Sequence, residues 1–177
     1  MADGTYQDWL KKDFGEVIDT LDSLSDLQKR FLRARWLDQV LWLEGRAGTS
    51  QKRYYTLRLT SIIGGVIVPA LVSSDIANIA VVIVSLIVAI SVAVEEFFHY
   101  GERWRHYRRT VELLKIEGWQ FFQLSGAYRH YDNHAKAYAA FATRVEEVIQ
   151  QDVEVFITKV IQEEQEKEEE NTGTNTP

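Results

Sequence analysis

The chain has 177 residues, 46% of them hydrophobic, and a formal net charge of -6. This length suffices for one ordinary domain, and two prolines give little of the turn punctuation that an all-β fold requires. The acidity is local, because residues 163–170 hold six glutamates and one lysine and the remainder is close to neutral. The absence of cysteine excludes disulfides and thiol chemistry.

Residues 1–50 are predicted to form an N-terminal cytoplasmic helical segment. Their start is polar, so no cleavable signal peptide is expected. A helix should begin at a cap, Ser25 or Asp26, and end near Gly45 and Gly48. Its basic residues leave two interpretations open, packing on other cytoplasmic helices or lying on an anionic membrane surface. No nucleic-acid-binding motif accompanies them, so nucleic acid is not expected as a partner.

Residues 51–100 are predicted to form a transmembrane hairpin with spans at about 54–74 and 76–95. The stretch 76–94 carries no charge, and 54–74 carries one, Arg58. About 20 apolar residues are needed to cross a bilayer as a helix. A buried hairpin of a soluble protein is the alternative, but the second run is apolar around its whole circumference, which a soluble helix seldom is.

Charge predicts the orientation of this hairpin. Basic residues flank the outer ends of both spans, while the tip between them holds Asp75 and no Lys or Arg. By the positive-inside rule both termini are expected in the cytoplasm. The basic residues concerned are Lys52, Arg53, Arg58, Arg103, Arg105, Arg108 and Arg109.

Residues 101–168 are predicted to form a cytoplasmic helical domain, and 169–177 a disordered tail. One helix should follow the second span to about Leu124, where "SGAYRHYDNH" interrupts the pattern. A last helix is predicted from about Ala135 to Glu168, because its apolar residues recur every three or four positions.

The second span has one stripe of polar and small residues. At 100° per residue, the stripe runs from a polar outer end to an acidic cytoplasmic end, and it comprises Asn78, Ser85, Ala89, Val92 and Glu96. In a symmetric homo-oligomer it could line a pore whose Glu96 ring attracts cations. Small residues at such spacing also allow close helix packing without conduction.

Three further features of the spans have competing interpretations. Arg58 and Glu95 come to similar depths, which predicts a boundary ion pair; Glu96 could serve that role or the pore mouth. Gly64, Gly65 and Pro69 could form a hinge, or a static kink that improves packing.

Histidines offer no complete metal site. Glu95, His99, Glu102 and His106 have a 4-3-4 spacing, and His130 and His134 lie four residues apart. Neither group reaches a full ligand set, so no metal and no cofactor are expected, and a metal-handling protein built on the first group is a third, less favoured alternative. Nothing resembles a nucleophile with a base, a phosphate loop or a dinucleotide fingerprint, so the chain is not expected to be an enzyme.

Five stretches together resemble the bacterial SLATT proteins and, more closely, a group of small two-span proteins known as a domain of unknown function. They are "RWLDQVLWLEGRA", "KRYYTLRLTSIIGGVIVPAL", "WRHYRRTVELLKIEGWQFF", "AYRHY" and "FATRVEEVI". The resemblance covers about residues 30–157. It implies a membrane effector that forms pores when a separate sensor protein or ligand triggers it. The matching positions are interpreted as a structural frame: Tyr54, Tyr55, Pro69, Trp104, Tyr107, Arg108, Glu112 and Glu117.

The sequence thus predicts an all-α membrane protein, a two-span hairpin with a cytoplasmic helical bundle, that self-associates in the bacterial inner or an internal membrane. The expected function is an oligomeric ion-conducting pore that prefers cations. The alternative is a non-conducting, membrane-anchored scaffold or sensor whose cytoplasmic helices recruit partners.

Overall fold

The computed structural model describes the backbone of residues 3–73 and 78–173, and the side chains of residues 6–72 and 79–155. Within these ranges the chain is helical, with short turns and no strand. The hairpin tip with Asp75 lies outside the described residues. The helices are α1 (Asp3–Asp19), α2 (Asp26–Phe31), a π-helical segment (Leu32–Leu37), α3 (Asp38–Ser73), α4 (Asn78–Phe98), α5 (Tyr100–Phe122) and α6 (His134–Gly173).

The predicted cap at the second helix is confirmed. Ser25 accepts a hydrogen bond from the backbone N–H of Gln28, whose side chain accepts one from the backbone N–H of Ser25. This capping box satisfies two amide donors that the first helical turn leaves without an intrahelical partner. Helix α1 was not predicted; its Leu10, Phe14 and Ile18, spaced four residues apart, are all buried.

The prediction that Gly45 and Gly48 end the first cytoplasmic helix is wrong. Helix α3 passes through both glycines and continues to Ser73, with Pro69 inside it. A helical glycine costs about 1 kcal/mol relative to alanine, which is less than the stabilisation that a long helix gains from its packed face. The C-terminal helix runs from His134 to Gly173, which includes the first five residues of the predicted disordered tail 169–177; residues 174–177 are not described.

A break in the helical backbone conformation separates α4 from α5. His99 lies between them with φ of 49°, a left-handed conformation that non-glycine residues seldom adopt. Its N–H still donates to the carbonyl of Glu95, and its carbonyl accepts from the N–H of Arg103. The two helices are therefore distinct, whereas the sequence indicated one that could continue through this position.

The chain divides into two compact units. The first comprises Met1–Asp13 and Gln39–Val111, and the second comprises Phe14–Asp38 and Glu112–Pro177. The first unit contains the apolar helices α3 and α4. The second contains α2, α6 and the last part of α5.

Trp36 organises the interior of the second unit. It is fully buried, and its indole N–H donates to the carbonyl of Leu114 at 2.9 Å. A Cβ on Gly118 would overlap the indole ring, so only glycine fits at this position of α5. The ring also lies edge-on to Phe14 and Phe141.

A charged network ties α5 to α6 in the same unit. Glu117, whose side chain is 10% exposed, accepts hydrogen bonds from the Tyr128 hydroxyl at 2.7 Å and from two nitrogens of Arg144 at 2.9 and 2.6 Å. Burial of the carboxylate raises its pKa, but these hydrogen bonds and the charge of Arg144 lower it by more, so the pKa of Glu117 lies below its ordinary value. Burial and the bond to Glu117 raise the pKa of Tyr128.

We expect Glu117→Gln to lower the free energy of unfolding at pH 7 by about 2 kcal/mol, because the buried Tyr128 hydroxyl and the half-exposed Arg144 guanidinium lose their charged acceptor. Since the folded pKa is depressed, the wild-type contribution is present above the unfolded value of 4.5 and is lost as the pH falls through the folded pKa. The variant should lack this part of the acid dependence. Urea unfolding followed by circular dichroism between pH 3 and 7 measures both effects.

Glu146→Gln is the matched control. Glu146 forms a two-pronged pair with Arg35 on the same helix α6, but both side chains are nearly half exposed. An exposed pair contributes about 0–1 kcal/mol. Equal losses from the two variants would contradict the buried role assigned to Glu117.

Candidate functional site

The two long apolar helices of the first unit, α3 and α4, pack against each other along one narrow interface, called the α3–α4 seam below. On α3 the less exposed positions from Tyr54 onward are Tyr54, Leu57, Thr60, Ser61, Gly64, Val68 and Leu71. On α4 the less exposed positions are Ala80, Val81, Val84, Ser85, Val88, Ser91, Val94 and Glu95. Residues three or four apart lie on one side of a helix, so each helix contributes one face and leaves the rest of its surface outside.

The helices approach each other closely at Gly64. A Cβ at this position would overlap Cγ2 of Val88. At the neighbouring Gly65, a Cβ would meet no described atom within 4 Å. The predicted hinge residues therefore occupy different surroundings: Gly64 lies in the seam, Gly65 is exposed, and Pro69 lies within the continuous helix α3.

The outward surfaces of both helices are apolar and exposed. Of the most apolar 18-residue window in each helix, 6% is buried. The exposed side chains include Ile62, Val66, Val72, Ile79, Val82 and Leu86. The core helix of a soluble protein would be mostly buried by its own chain. By length and composition, these two helices could each cross a membrane.

The structure brings Arg58 and Glu95 to similar depth but not into an ion pair. Leu57 lies seven residues before Gly64 and Glu95 lies seven residues after Val88, so Glu95 comes level with Leu57. Arg58 follows Leu57 on α3, so its side chain is rotated by about 100° around the helix axis from that of Leu57. Among the described side chains no salt bridge joins these two, and Arg58 is exposed while Glu95 is half-buried.

The exposed part of the predicted pore-lining stripe lies beside the α3–α4 seam. Ser85 is half-buried, Ala89 and Glu96 are exposed, and Val92 is 52% exposed. Viewed down the axis of α4, the centre of this stripe lies about a quarter of a turn around the helix from Val88. Asn78 begins α4, but its side chain lies outside those described. The stripe is thus available to a neighbour or to solvent.

Aromatic residues cluster at the polar end of the two helices. Trp104 stacks on Tyr54 at 6.1 Å and contacts Tyr55 at 5.6 Å, measured between ring centroids. Gly101 lies directly against the Tyr54 ring, because a Cβ there would come within 2.8 Å of it. The guanidinium of Arg53 lies over the Tyr100 ring at 5.4 Å.

The remaining residues of the sequence motif have structural partners. Tyr107 meets Trp42 edge-on at 6.0 Å, and Arg108 pairs with Glu44 at 2.6 Å. Glu112 pairs with Lys115 at 3.5 Å. Sequence reasoning missed Glu44 and Arg144, the partners of Arg108 and Glu117. Their distance along the chain left no local signal, apart from their opposite charge on helices expected to pack.

The histidine groups do not converge. The left-handed joint at His99 interrupts the Glu95–His99–Glu102–His106 spacing that a continuous helix would align. His134 lies 3.1 Å from the carbonyl oxygen of Phe122, and His130 contacts Arg129. Within the part of the chain that the structure describes, no three His, Asp or Glu side chains could together hold a metal ion.

The fold defines an all-helical protein with two helices that are long and apolar enough to cross a membrane. The chain belongs to the family described as a protein of unknown function (DUF4231), whose model matches residues 38–136. The match begins with α3 and ends just inside α6. No curated protein and no solved structure matches the chain.

We expect Gly64→Ala to destabilise the α3–α4 seam by about 1–3 kcal/mol, because the added methyl must displace Val88 or the helix backbone. Gly65→Ala is the control, and it should be neutral or stabilising because alanine favours helix by about 1 kcal/mol. Thermal unfolding of the detergent-solubilised variants measures the difference. If both variants behave alike, Gly64 is not a contact point.

Proposed function

We propose that the chain is an integral membrane protein whose two helices cross a bilayer as a hairpin. The exposed apolar surface of α3 and α4 supports this, since its contact with water would cost about 25 cal/mol for each Å². The Tyr54, Tyr55 and Trp104 cluster supports it as well, because such amphipathic rings favour the membrane interface.

The charge pattern supports an orientation with both termini in the cytoplasm. Lys52 and Arg53 precede the crossing part of α3, and Arg103 and Arg105 follow α4 at the same end. Positively charged residues are retained on the cytoplasmic side of bacterial membranes. The localisation proposed is therefore a bacterial inner or internal membrane.

We further propose that several copies assemble into an ion-conducting pore. One two-helix hairpin cannot enclose a water-filled path, so conduction requires self-association. The observation that carries this proposal is the position of the stripe: Ala89, Val92 and Glu96 are exposed beside the seam that α4 forms with α3, and Ser85 is half-buried. A neighbouring copy can pack beside them, and the stripe can then face a common axis.

Glu96 supplies the proposed selectivity. A ring of exposed carboxylates at the cytoplasmic end attracts cations and repels anions. The resemblance to SLATT proteins supports a role as a membrane effector that opens when a separate sensor protein or ligand acts on it. On that view the cytoplasmic helices receive the trigger and the hairpin responds.

A membrane-anchored scaffold is the second candidate. Leu113, Ile116 and Trp119 lie at three-residue spacing on α5, and each is more than a third exposed. Such an apolar stripe on a cytoplasmic helix suits recruitment of another helix. A scaffold requires no conduction, so an oligomer that passes no ion under any trigger would favour it over the pore.

The predicted effect of Glu96→Gln is a loss of cation preference. Removing a unit negative charge at the pore mouth raises a cation's energy there by about 1 kcal/mol and lowers an anion's by as much, so the cation-to-anion permeability ratio should fall about thirtyfold for each charge removed. Reversal potentials in planar bilayers under a salt gradient measure this ratio.

Glu95→Gln is the control for the same experiment. It removes the same charge one residue away, from a half-buried side chain on the seam side of α4. The ratio should therefore change little. An equal change in both variants would contradict the assignment of Glu96 alone to the pore mouth, and an absence of current in the wild type would contradict conduction.

A further inference from the structure

A cavity lies beside the aromatic cluster in the first unit. Its volume is about 200 Å³, and it is lined by α1, α3 and α5. This space exceeds the ~30 Å³ that a water molecule occupies in the liquid and falls below the ~300–1,000 Å³ typical of drug-sized ligands. It therefore suits a small molecule or one head of a larger molecule.

Small residues on α3 create the cavity. Gly45, Ala47 and Gly48 form part of its wall. At Gly45 a Cβ would come within 2.6 Å of the Gln7 side chain, whose amide donates to the carbonyl of Leu41 at 2.8 Å. Gly45, which was expected to end a helix, thus allows α1 to lie close to α3.

The charged groups of the cavity are one acid and one base. Glu44, whose side chain is 10% exposed, pairs with Arg108 at 2.6 Å, and both line the wall. The other polar lining residues, including Gln7 and Gln51, are neutral. Because the wall has no net charge, it favours a neutral zwitterion over an anion. A ligand with an ammonium and a phosphate can lie antiparallel to this pair, so that its ammonium faces the carboxylate and its phosphate faces the guanidinium.

The aromatic lining suits the ammonium end of such a ligand. Tyr6 and Trp104 both line the cavity. An alkylammonium over an aromatic face is attracted by the negative charge density of the ring face. Trp104 also contacts Tyr54 and Tyr55, the rings placed above at the membrane interface. When the hairpin crosses a bilayer, the Trp104 and Gln51 end of the cavity therefore lies at the depth of lipid headgroups, and Glu44 lies about 10 Å further along α3 on the cytoplasmic side.

We propose that this cavity binds a phosphoethanolamine group, with its ammonium toward Glu44 and its phosphate toward Arg108. The ligand is the headgroup of a membrane lipid or a soluble molecule with the same group. The proposal rests on the membrane placement proposed above, and it adds a ligand site to the polar end of the hairpin.

The test compares headgroups on the full-length protein in detergent. Dissociation constants are measured by native mass spectrometry for phosphatidylethanolamine, phosphatidylcholine and phosphatidylglycerol with identical acyl chains, and for soluble phosphoethanolamine. We expect phosphatidylethanolamine to bind about tenfold more tightly than the other two lipids. A primary ammonium donates a charge-assisted hydrogen bond to Glu44, which a methylated ammonium and a glycerol cannot do.

Soluble phosphoethanolamine distinguishes the two sources. If it binds as tightly as the lipid, the headgroup chemistry holds and the source can be soluble. If only the lipid binds, the acyl chains contribute and the source is the membrane. Equal affinity for all three lipids, with no binding of soluble phosphoethanolamine, would overturn the proposal.

A charge swap tests the residues. The double variant Glu44→Arg with Arg108→Glu retains an ion pair but reverses its dipole, so the tenfold preference should disappear. The control swaps the exposed pair Arg35 and Glu146 of the second unit and should retain the preference. A retained preference in the Glu44–Arg108 swap would overturn the assignment, and the wild-type headgroup comparison decides the case if that swap does not fold.

Ion flux measured on the same preparation separates this inference from the pore proposal. Ion flux without a headgroup preference contradicts the ligand site and leaves the pore proposal standing. A headgroup preference without flux contradicts conduction alone.

Discussion

The apolar surface that α3 and α4 leave outside their own seam is the constraint on which the rest of this molecule depends. These helices bury little against their own chain, with 6% of each apolar window covered. Exposed side chains such as Val66, Val82 and Ile79 need an apolar environment. In the proposed placement a bilayer provides it around the hairpin, and the aromatic and basic residues at the polar end then fall where the membrane meets water.

Different faces of α4 serve packing against α3 and the proposed conduction. Gly64 allows Val88 to approach the α3 backbone, so the close contact is made by one face of α4. The small and acidic stripe of α4 lies a quarter turn away and stays accessible. Glu95 and Glu96, adjacent in sequence, consequently differ: Glu95 is half-buried toward the seam, and Glu96 is exposed. In the proposed pore, this difference would let Glu96 line the mouth while Glu95 stays at the hairpin contact.

The sequence predicts the features that depend on local pattern. The all-helical class, the two apolar stretches, the Ser25 cap and the last helix follow from composition and spacing. Features that depend on tertiary contact do not follow. The sequence indicated a helix end at Gly45 because Gln7, against which it packs, is distant in sequence. The left-handed residue that ends α4 is His99, not a glycine, so no local sequence signal marks it. Depth along the spans indicated Arg58 as the partner of Glu95, but rotation about α3, which the sequence does not fix, directs them apart.

The most direct test of the account uses the absence of native cysteine. Single cysteines are placed along α4 in protein reconstituted into vesicles, and their reaction rates with a small water-soluble thiol reagent are measured. The account predicts rapid modification at Ser85, Ala89 and Val92, and protection at Ile83, Ile87 and Ile90 on the opposite side. Uniform modification would show that α4 lies in water, and uniform protection would show that no aqueous path exists; either result would contradict the account.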